Sequence, residues 1–161
     1  MKIKPILFLI VATALMLGAA YGASVNDFKI DKAYDDTFQS DYYSLHLNKD
    51  QDAGIAIYKN VDDDTYADTD ADEAYDDMVH DDGREYITPD DEMKIDEKSD
   101  NTVEFEDYGH ANHGIAELVK SGDEEFIVVF WAKDTSDVDN SDLISQLNEF
   151  NKDNDVKAVA F

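Results

Sequence analysis

The apolar run from Phe126 to Trp131 restricts the possible folds of this chain more than any other segment. It reads Phe-Ile-Val-Val-Phe-Trp and lacks the polar alternation of a strand that has one face in solvent. A run this short, rich in β-branched and aromatic residues, is typical of a strand covered on both faces. We therefore predict that it forms a central strand of a sheet.

The segment before this run predicts a β-hairpin. Residues 114–120 and 125–133 are largely apolar, and Ser-Gly-Asp-Glu lies between them. Gly122 can adopt the positive φ that a tight hairpin turn requires. Two weaker alternating patterns predict further hairpins, one joining 43–47 to 53–57 and one joining 93–95 to 103–105.

Two segments carry apolar residues at helical spacing. We predict helices over about 69–80, with Thr69 as N-cap and Gly83 as a stop signal, and over about 141–151. The stripes consist of Ala71, Tyr75, Met78 and Val79 in the first helix, and of Leu143, Ile144, Leu147 and Phe150 in the second.

The order of these elements predicts one domain. Residues 28–38 form an irregular lead-in or a short strand, and residues 156–161 form a last edge strand. We predict an α+β fold, with an antiparallel sheet of about five to seven strands and two amphipathic helices packed on one face.

The N-terminus has the layout of a secretory signal. Two lysines precede an apolar run at 6–17, and the small residues that follow lead to a cleavage site before Ala23. We predict a signal peptide over 1–22 and a single acidic domain over 23–161. The alternative is an uncleaved anchor, which would be the chain's sole contact with a membrane, because residues 6–23 carry no charge.

The net charge of the chain restricts the classes of partner that it can bind. Asp and Glu number 39 against 13 Lys and Arg, so the formal net charge is -26. Such a surface repels nucleic acid and anionic lipid headgroups, and it favours cations or a basic protein surface. A salt-adapted surface is the alternative explanation of the carboxylates.

One acidic stretch is similar to the start of a calcium-binding loop. Asp68, Asp70 and Asp72 repeat the first three ligand positions of an EF-hand. The pattern then fails, because position 6 is Glu73 rather than glycine and position 12 is Val79 rather than glutamate. We keep these aspartates as weak candidates for calcium, the one cofactor that the sequence suggests, beside the alternative of a solvated helix face.

Two other places could hold a metal ion. Asp137 and Asp139 fail the same EF-hand test, and they too are weak calcium candidates beside the alternative of a polar loop. His110 and His113 are the only closely paired histidines and could share a transition metal, with His46, His80 or an acid as a further ligand. The alternative is a hydrogen-bonded loop pair.

The chain lacks the residues of the common catalytic motifs. It has no cysteine, no Gly-x-Ser-x-Gly, no His-Glu-x-x-His and no glycine-rich phosphate loop. We therefore predict a protein that is not an enzyme. The alternative is a small envelope hydrolase, or its accessory subunit, that uses a pair of carboxylates.

The C-terminal part carries a family resemblance. Gly-Ile-Ala-Glu-Leu-Val at 114–119, Phe-Ile-Val-Val-Phe-Trp-Ala-Lys at 126–133 and Leu-Asn-Glu-Phe-Asn-Lys at 147–152 resemble small exported acidic proteins of unassigned function from methanogenic archaea. The likeness covers roughly the last third of the chain and the Phe-Lys-Ile-Asp at 28–31. It implies an envelope or extracellular location and transfers no catalytic residue. The element order is also loosely similar to PsbP-like proteins, which bears on the fold alone.

These observations predict a secreted or cell-surface domain that acts as a binding module. We expect its acidic surface to meet cations or a basic partner, with a weak association of divalent cations.

Overall fold

The computed structural model of the chain describes residues 23–60, 93–99, 101–107 and 111–159. A short 3-10 turn, Val25–Asp27, comes first. The strands are β1 (Asp36–Gln39), β2 (Tyr43–Leu47), β3 (Ala53–Lys59), β4 (Met93–Ser99), β5 (Thr102–Asp107), β6 (Asn112–Ser121), β7 (Glu124–Lys133) and β8 (Lys157–Ala158), and the helix α1 is Asn140–Asn154.

The strands form one antiparallel sheet in the order β1-β2-β3-β7-β6-β5-β4. It consists of two meanders, β1 to β3 and β4 to β7, that join where β3 pairs with β7. β7 therefore lies in the middle of the sheet, and the prediction of a central strand at 126–131 is confirmed. The predicted last strand is present but shorter than expected. This strand, β8, pairs with the inner strand β6 at Val119 and Lys120.

The three predicted hairpins are present. β2 pairs with β3, β4 with β5, and β6 with β7. Gly122 lies in the β6–β7 turn with a φ of 65°. A glycine adopts this left-handed conformation at little cost, so the predicted role of Gly122 in the turn is confirmed.

Both faces of the sheet bury apolar side chains. One face packs against α1 and the N-terminal segment, with Ile55, Val128 and Phe130 at its centre. The other face buries Tyr58, Ile127 and other residues, and its cluster includes no residue of α1. The absence of alternation in β7 follows directly, because successive side chains enter opposite but equally buried layers.

Aromatic rings lie over two glycines of the second face. Gly54 in β3 and Gly114 in β6 flank Trp131 of β7 in register. A Cβ added at Gly54 would lie 2.7 Å from the indole Nε1 of Trp131, and one added at Gly114 would meet the ring of Phe105. Both positions need glycine because the aromatic ring of a neighbouring residue occupies the space that a side chain would fill.

α1 begins directly after its N-cap Asp139 and buries three of the four residues of the predicted stripe, whereas Ile144 is 42% exposed. Leu143, Leu147 and Phe150 are buried against the sheet. The helix ends with Asp155 in the left-handed conformation at a φ of 51°. Within the described ranges one α-helix, rather than the two predicted, packs on the sheet. The segment of about 69–80, where the other was predicted, lies outside these ranges.

None of the helices in the described ranges has the length and apolar character needed to cross a bilayer.

Candidate functional site

A histidine holds the loop between β7 and α1 against β6. The ring Nε2 of His113 lies 2.9 Å from the carbonyl oxygen of Val138, and its Nδ1 lies 3.2 Å from a carboxylate oxygen of Asp134. A carbonyl oxygen only accepts, so Nε2 carries a proton. The backbone adds a further tie, because the Asp134 amide donates to the carbonyl of Ala111 at 2.8 Å. The loop is therefore fixed at both its beginning and its end.

The loop ends in the capped N-terminus of α1. The Asp139 carboxylate accepts from the amides of Ser141 and Asp142 at 2.8 and 3.0 Å and from the Ser141 hydroxyl at 2.5 Å. The Asp142 carboxylate accepts from the Asp139 amide in return, which completes a capping box. The hydroxyl of Ser141 and these amides lower the pKa of Asp139 because they stabilise its charged form. This residue stays ionised into more acidic solution than an ordinary aspartate.

An acidic cleft of about 530 Å³ lies between this loop and the neighbouring ends of β5 and β6. Its lining combines four carboxylates, one imidazole and no lysine or arginine among the described residues. The lining residues are Glu106, Asn112, His113, Asp134, Ser136, Asp137, Val138, Asp139 and Asn140. We call it the acidic cleft.

Two amide side chains of the acidic cleft have an acceptor without a partner. The side-chain oxygens of Asn112 and Asn140 are buried and have no hydrogen bond among the described residues. Asn112 as a whole is only 9% exposed. Buried acceptors are normally paired. The lining therefore has more oxygen acceptors than the described residues satisfy.

The structure brings together three of the candidate metal residues. Asp137, Asp139 and His113 all line the acidic cleft, whereas the other candidates, Asp68, Asp70, Asp72 and His110, lie outside the described residues. Among the described residues no three His, Asp or Glu side chains are close enough to hold a bare metal ion together. His113 lies in β6, and both of its ring nitrogens have partners in the loop between β7 and α1.

Sequence reasoning missed Glu106 as a member of the acidic cleft. It lies on β5 directly opposite His113 on β6. The alternating pattern of β5 is visible in the sequence, but its register against β6 is not. No local signal in the chain would have found this neighbour.

His46, considered as a further metal ligand, is a buried residue of the sheet. It is 5% exposed and pairs in register with Ile55, on the face that α1 covers. Its Nδ1 lies 3.3 Å from the Thr37 hydroxyl, and its Nε2 has no partner among the described residues. Burial lowers the pKa of His46, because the charged imidazolium loses its hydration.

Glu117 is a buried carboxyl outside the acidic cleft. It lies on β6, 7% exposed, and accepts hydrogen bonds from Asn101, Thr102 and Asn151 at 3.1, 3.4 and 2.5 Å. Burial raises its pKa, and the hydrogen bonds from Asn151 and Thr102 oppose that rise. Its partner Asn151 belongs to α1, so this carboxyl docks the helix on the sheet.

Comparison of the chain with protein-family models, curated proteins and solved structures finds no match.

Proposed function

We propose that the protein is an exported, non-enzymatic binding module of the cell surface or the extracellular space, and that the acidic cleft receives the positive charge of its ligand. The ligand is a cation or a basic group of a partner protein. The observation that carries the proposal is the convergence of Glu106, Asp134, Asp137 and Asp139 on one cleft without a compensating lysine or arginine among the described residues.

The field of the whole molecule supports a positive ligand. The net charge of -26 raises the local concentration of cations around the surface, and a concave acidic lining concentrates them further. The resemblance to exported acidic proteins and the signal-like N-terminus support the location. These two features come from the sequence.

The fixed shape of the loop supports recognition. His113 and the capping box hold the loop before any ligand arrives, so little conformational entropy is lost on binding. A loop held in this way can present carboxylates at set positions to a partner.

The spacing of the carboxylates supports weak rather than tight cation binding. The described residues place no three ligands close enough for a dehydrated ion. A hydrated divalent ion, held by the carboxylates through its own water molecules, fits such a lining better. Millimolar affinity is the range of extracellular calcium modules.

The environments of two described carboxyls favour a module over a hydrolase. A general acid needs a raised pKa beside the substrate. The pKa of Asp139 in the acidic cleft is lowered instead, by its role as helix cap. Among the described carboxyls, Glu117 has a raised pKa, and it serves the docking of α1.

Thermal unfolding tests the proposal. The midpoint is measured in EDTA, in about 10 mM calcium, in magnesium and in sodium at matched ionic strength. A site with millimolar affinity predicts a saturable rise of about 3–6 °C in calcium, beyond that in sodium. The rise should shrink in Asp137→Asn and persist in Asp123→Asn, a change of equal charge in the β6–β7 turn. Equal rises in all salts would show screening alone and would refute a cation site.

A further inference from the structure

The second face of the sheet, which carries Tyr58 and Ile127, is buried like the face that α1 covers. Leu118 and Val129 on this face are 0% exposed. Side chains on a sheet face in contact with water would keep part of their surface exposed. The apolar cluster of this face has no member from α1 or from the N-terminal segment, and among the described residues only strand residues and Val159 belong to it. The burial of this face therefore requires a further layer of protein.

The chain between β3 and β4 crosses the sheet. In the strand order β3-β7-β6-β5-β4 every neighbouring pair is antiparallel, so β3 and β4 run parallel. A connection between parallel strands of one sheet passes over one of its two faces. This connection consists of residues 61–92, which lie outside the described residues, and we call it the crossover segment. At about 3.3 Å per residue it is several times longer than the crossing of about 19 Å, which is four spacings of about 4.8 Å.

α1 belongs to a second crossing of the same kind. It joins β7 to β8, and β8 pairs with β6 on the side away from β7. Because β6 is antiparallel to both of these neighbours, β7 and β8 run parallel, and α1 carries the chain over β6. In this crossing the chain moves from β7 towards the β4 edge, and in the crossover segment it moves from β3 towards the same edge. The two crossings therefore have the same sideways direction.

The directions of the starting strands determine the faces of the two crossings. Connections between parallel strands of one sheet are right-handed in about 98% of cases. When the hand and the sideways direction are both kept, a reversal of the starting strand moves the connection to the other face. β3 and β7 are antiparallel. A crossover segment of the usual hand therefore lies on the face opposite to α1, which is the second face.

We propose that the crossover segment is the layer that covers the second face. Its apolar residues at helical spacing supply the contact with the sheet, and they are Ala71, Tyr75, Met78 and Val79. The acidic residues between them lie on the outer side of this layer, where water solvates their charge. The residue pattern alone favoured two helices on one face, whereas the strand directions favour one layer on each face.

The proposed layer separates the candidate cation ligands. His113 is two residues before Ile115 on β6, and Ile115 is buried on the face that α1 covers. Glu106 pairs with His113 and lies on the same face. The second face holds the calcium candidates of the crossover segment, Asp68, Asp70 and Asp72. The sheet therefore lies between these aspartates and the acidic cleft, so a cation in the cleft gains no ligand from them. The proposal does not depend on the proposed function.

Nuclear Overhauser contacts in the purified chain test the proposal, because they report protons that lie against each other. We expect contacts from the Tyr75 ring and the Met78 methyl to the methyl groups of Leu118 or Val129. Contacts from this stripe to Val128, on the face that α1 covers, would overturn the proposal. The absence of contacts between the stripe and either face would overturn it as well.

The same spectra identify any other occupant of the second face. Contacts of Leu118 and Val129 with residues 6–17 would assign the layer to the apolar run at the N-terminus. In a sample that mixes labelled and unlabelled chains, contacts between copies would assign it to a dimer. Either result would overturn the proposal.

Trp131 gives a second test, because it is the only tryptophan of the chain and belongs to the second face. Met78→Lys places a charge in the stripe, whereas His80→Lys makes the same change of net charge on the opposite side of the predicted helix. Met78→Lys should lower the urea midpoint of unfolding and shift the Trp131 emission in buffer to longer wavelength, because the buried charge draws water to this face. His80→Lys should change neither. Equal effects of the two variants would contradict the packing of the stripe on the second face.

Discussion

The side-chain amide of Asn151 in α1 donates a hydrogen bond to the buried carboxylate of Glu117 in β6, and this contact joins the helix to the sheet across the core. The other carboxylate oxygen accepts from Asn101 and Thr102, so three donors meet one acid. Because burial raises the pKa of Glu117, the contact also links stability to pH.

Glu117→Gln should remove part of the pH dependence of unfolding. With a raised native pKa, the native state holds the Glu117 proton to higher pH than the unfolded chain does. The contribution of this group is therefore full below the unfolded pKa and is lost as pH rises through the native pKa. Relative to the wild type, the Gln variant should gain stability as pH rises from about 4 towards neutrality, measured by urea unfolding at several pH values.

Matched substitutions separate charge from hydrogen bonding at this position. The glutamine can still accept from Thr102 and can donate to the side-chain oxygen of Asn151, which has no partner among the described residues, once the Asn151 amide turns over. Glu117→Leu leaves the donors unpaired and should cost about 1–3 kcal/mol. If the free energy of unfolding of Glu117→Gln depended on pH as that of the wild type does, the raised pKa of Glu117 would be contradicted.

The pH dependence that His46 contributes to stability should have the opposite sign to that of Glu117. Because burial lowers its pKa, the native state resists a proton that the unfolded chain accepts. Its contribution is present above the unfolded pKa, near about 6.5, and is lost as pH falls towards the native pKa. His46→Leu should flatten the loss of stability between about pH 6.5 and 5. A variant that follows the wild-type curve over this interval would show that His46 is not buried in the neutral form.

The two glycines under aromatic rings should tolerate alanine poorly. Gly114→Ala is the more severe change, because the new Cβ would lie 2.5 Å from the backbone carbonyl oxygen of Phe130 as well as against the Phe105 ring. Gly54→Ala meets the Trp131 indole, which can shift. We expect losses of about 1–3 kcal/mol for Gly54→Ala and at least the upper value for Gly114→Ala in urea unfolding.

The turn glycine supplies the control for this pair. Gly122 has open space around it, so Gly122→Ala carries only the cost of a positive φ, about 1–2 kcal/mol. If Gly114→Ala unfolded at the same urea concentration as the wild type, the result would contradict the packing of the Phe105 ring on β6.

His113→Ala should loosen the loop before α1. The substitution removes the donor to Val138 and the contact with Asp134, and a loss of about 1–2 kcal/mol is expected. Hydrogen exchange of the amides at 134–139 should become faster, whereas exchange within β7 follows the global stability alone. Unchanged exchange in the loop would mean that its backbone contacts suffice to hold it.

The proposed export predicts a defined N-terminus. The chain recovered outside the cell should begin at Ala23, as measured by intact mass. Replacing the small Gly22 with Leu should leave the N-terminal segment attached. A chain that keeps residues 1–22 on the membrane in the wild type would instead support the anchor.

Local patterns in the sequence predicted the elements but not their neighbours. The run at Phe126 identified the central strand, and the turn at Gly122 its partner β6, because both signals lie within a few residues. α1 was predicted within a few residues at either end because its apolar stripe is a local pattern. The pairing of β3 with β7 joins segments that are far apart in the chain, and no local pattern specifies it.

The same limit applies to the sites. Asp137, Asp139 and His113 were candidates because of their residue types and spacing, but Glu106 joins them only through the register of β5 and β6. The contacts of Lys29 and Tyr34 with α1 leave no periodic pattern in the sequence, because they are single hydrogen bonds between segments more than a hundred residues apart. Polar contacts between segments so far apart in the chain form only when the chain is folded.

The most direct measurement of the central claim is a calcium titration followed by nuclear magnetic resonance of the backbone amides. The proposed function predicts saturable shifts at Asn112, His113 and residues 134–140, with a midpoint near 1 mM, and weaker binding in Asp137→Asn than in Asp123→Asn. Small shifts spread over all acidic surfaces, growing without saturation and reproduced by sodium, would contradict the assignment of the acidic cleft as the binding site.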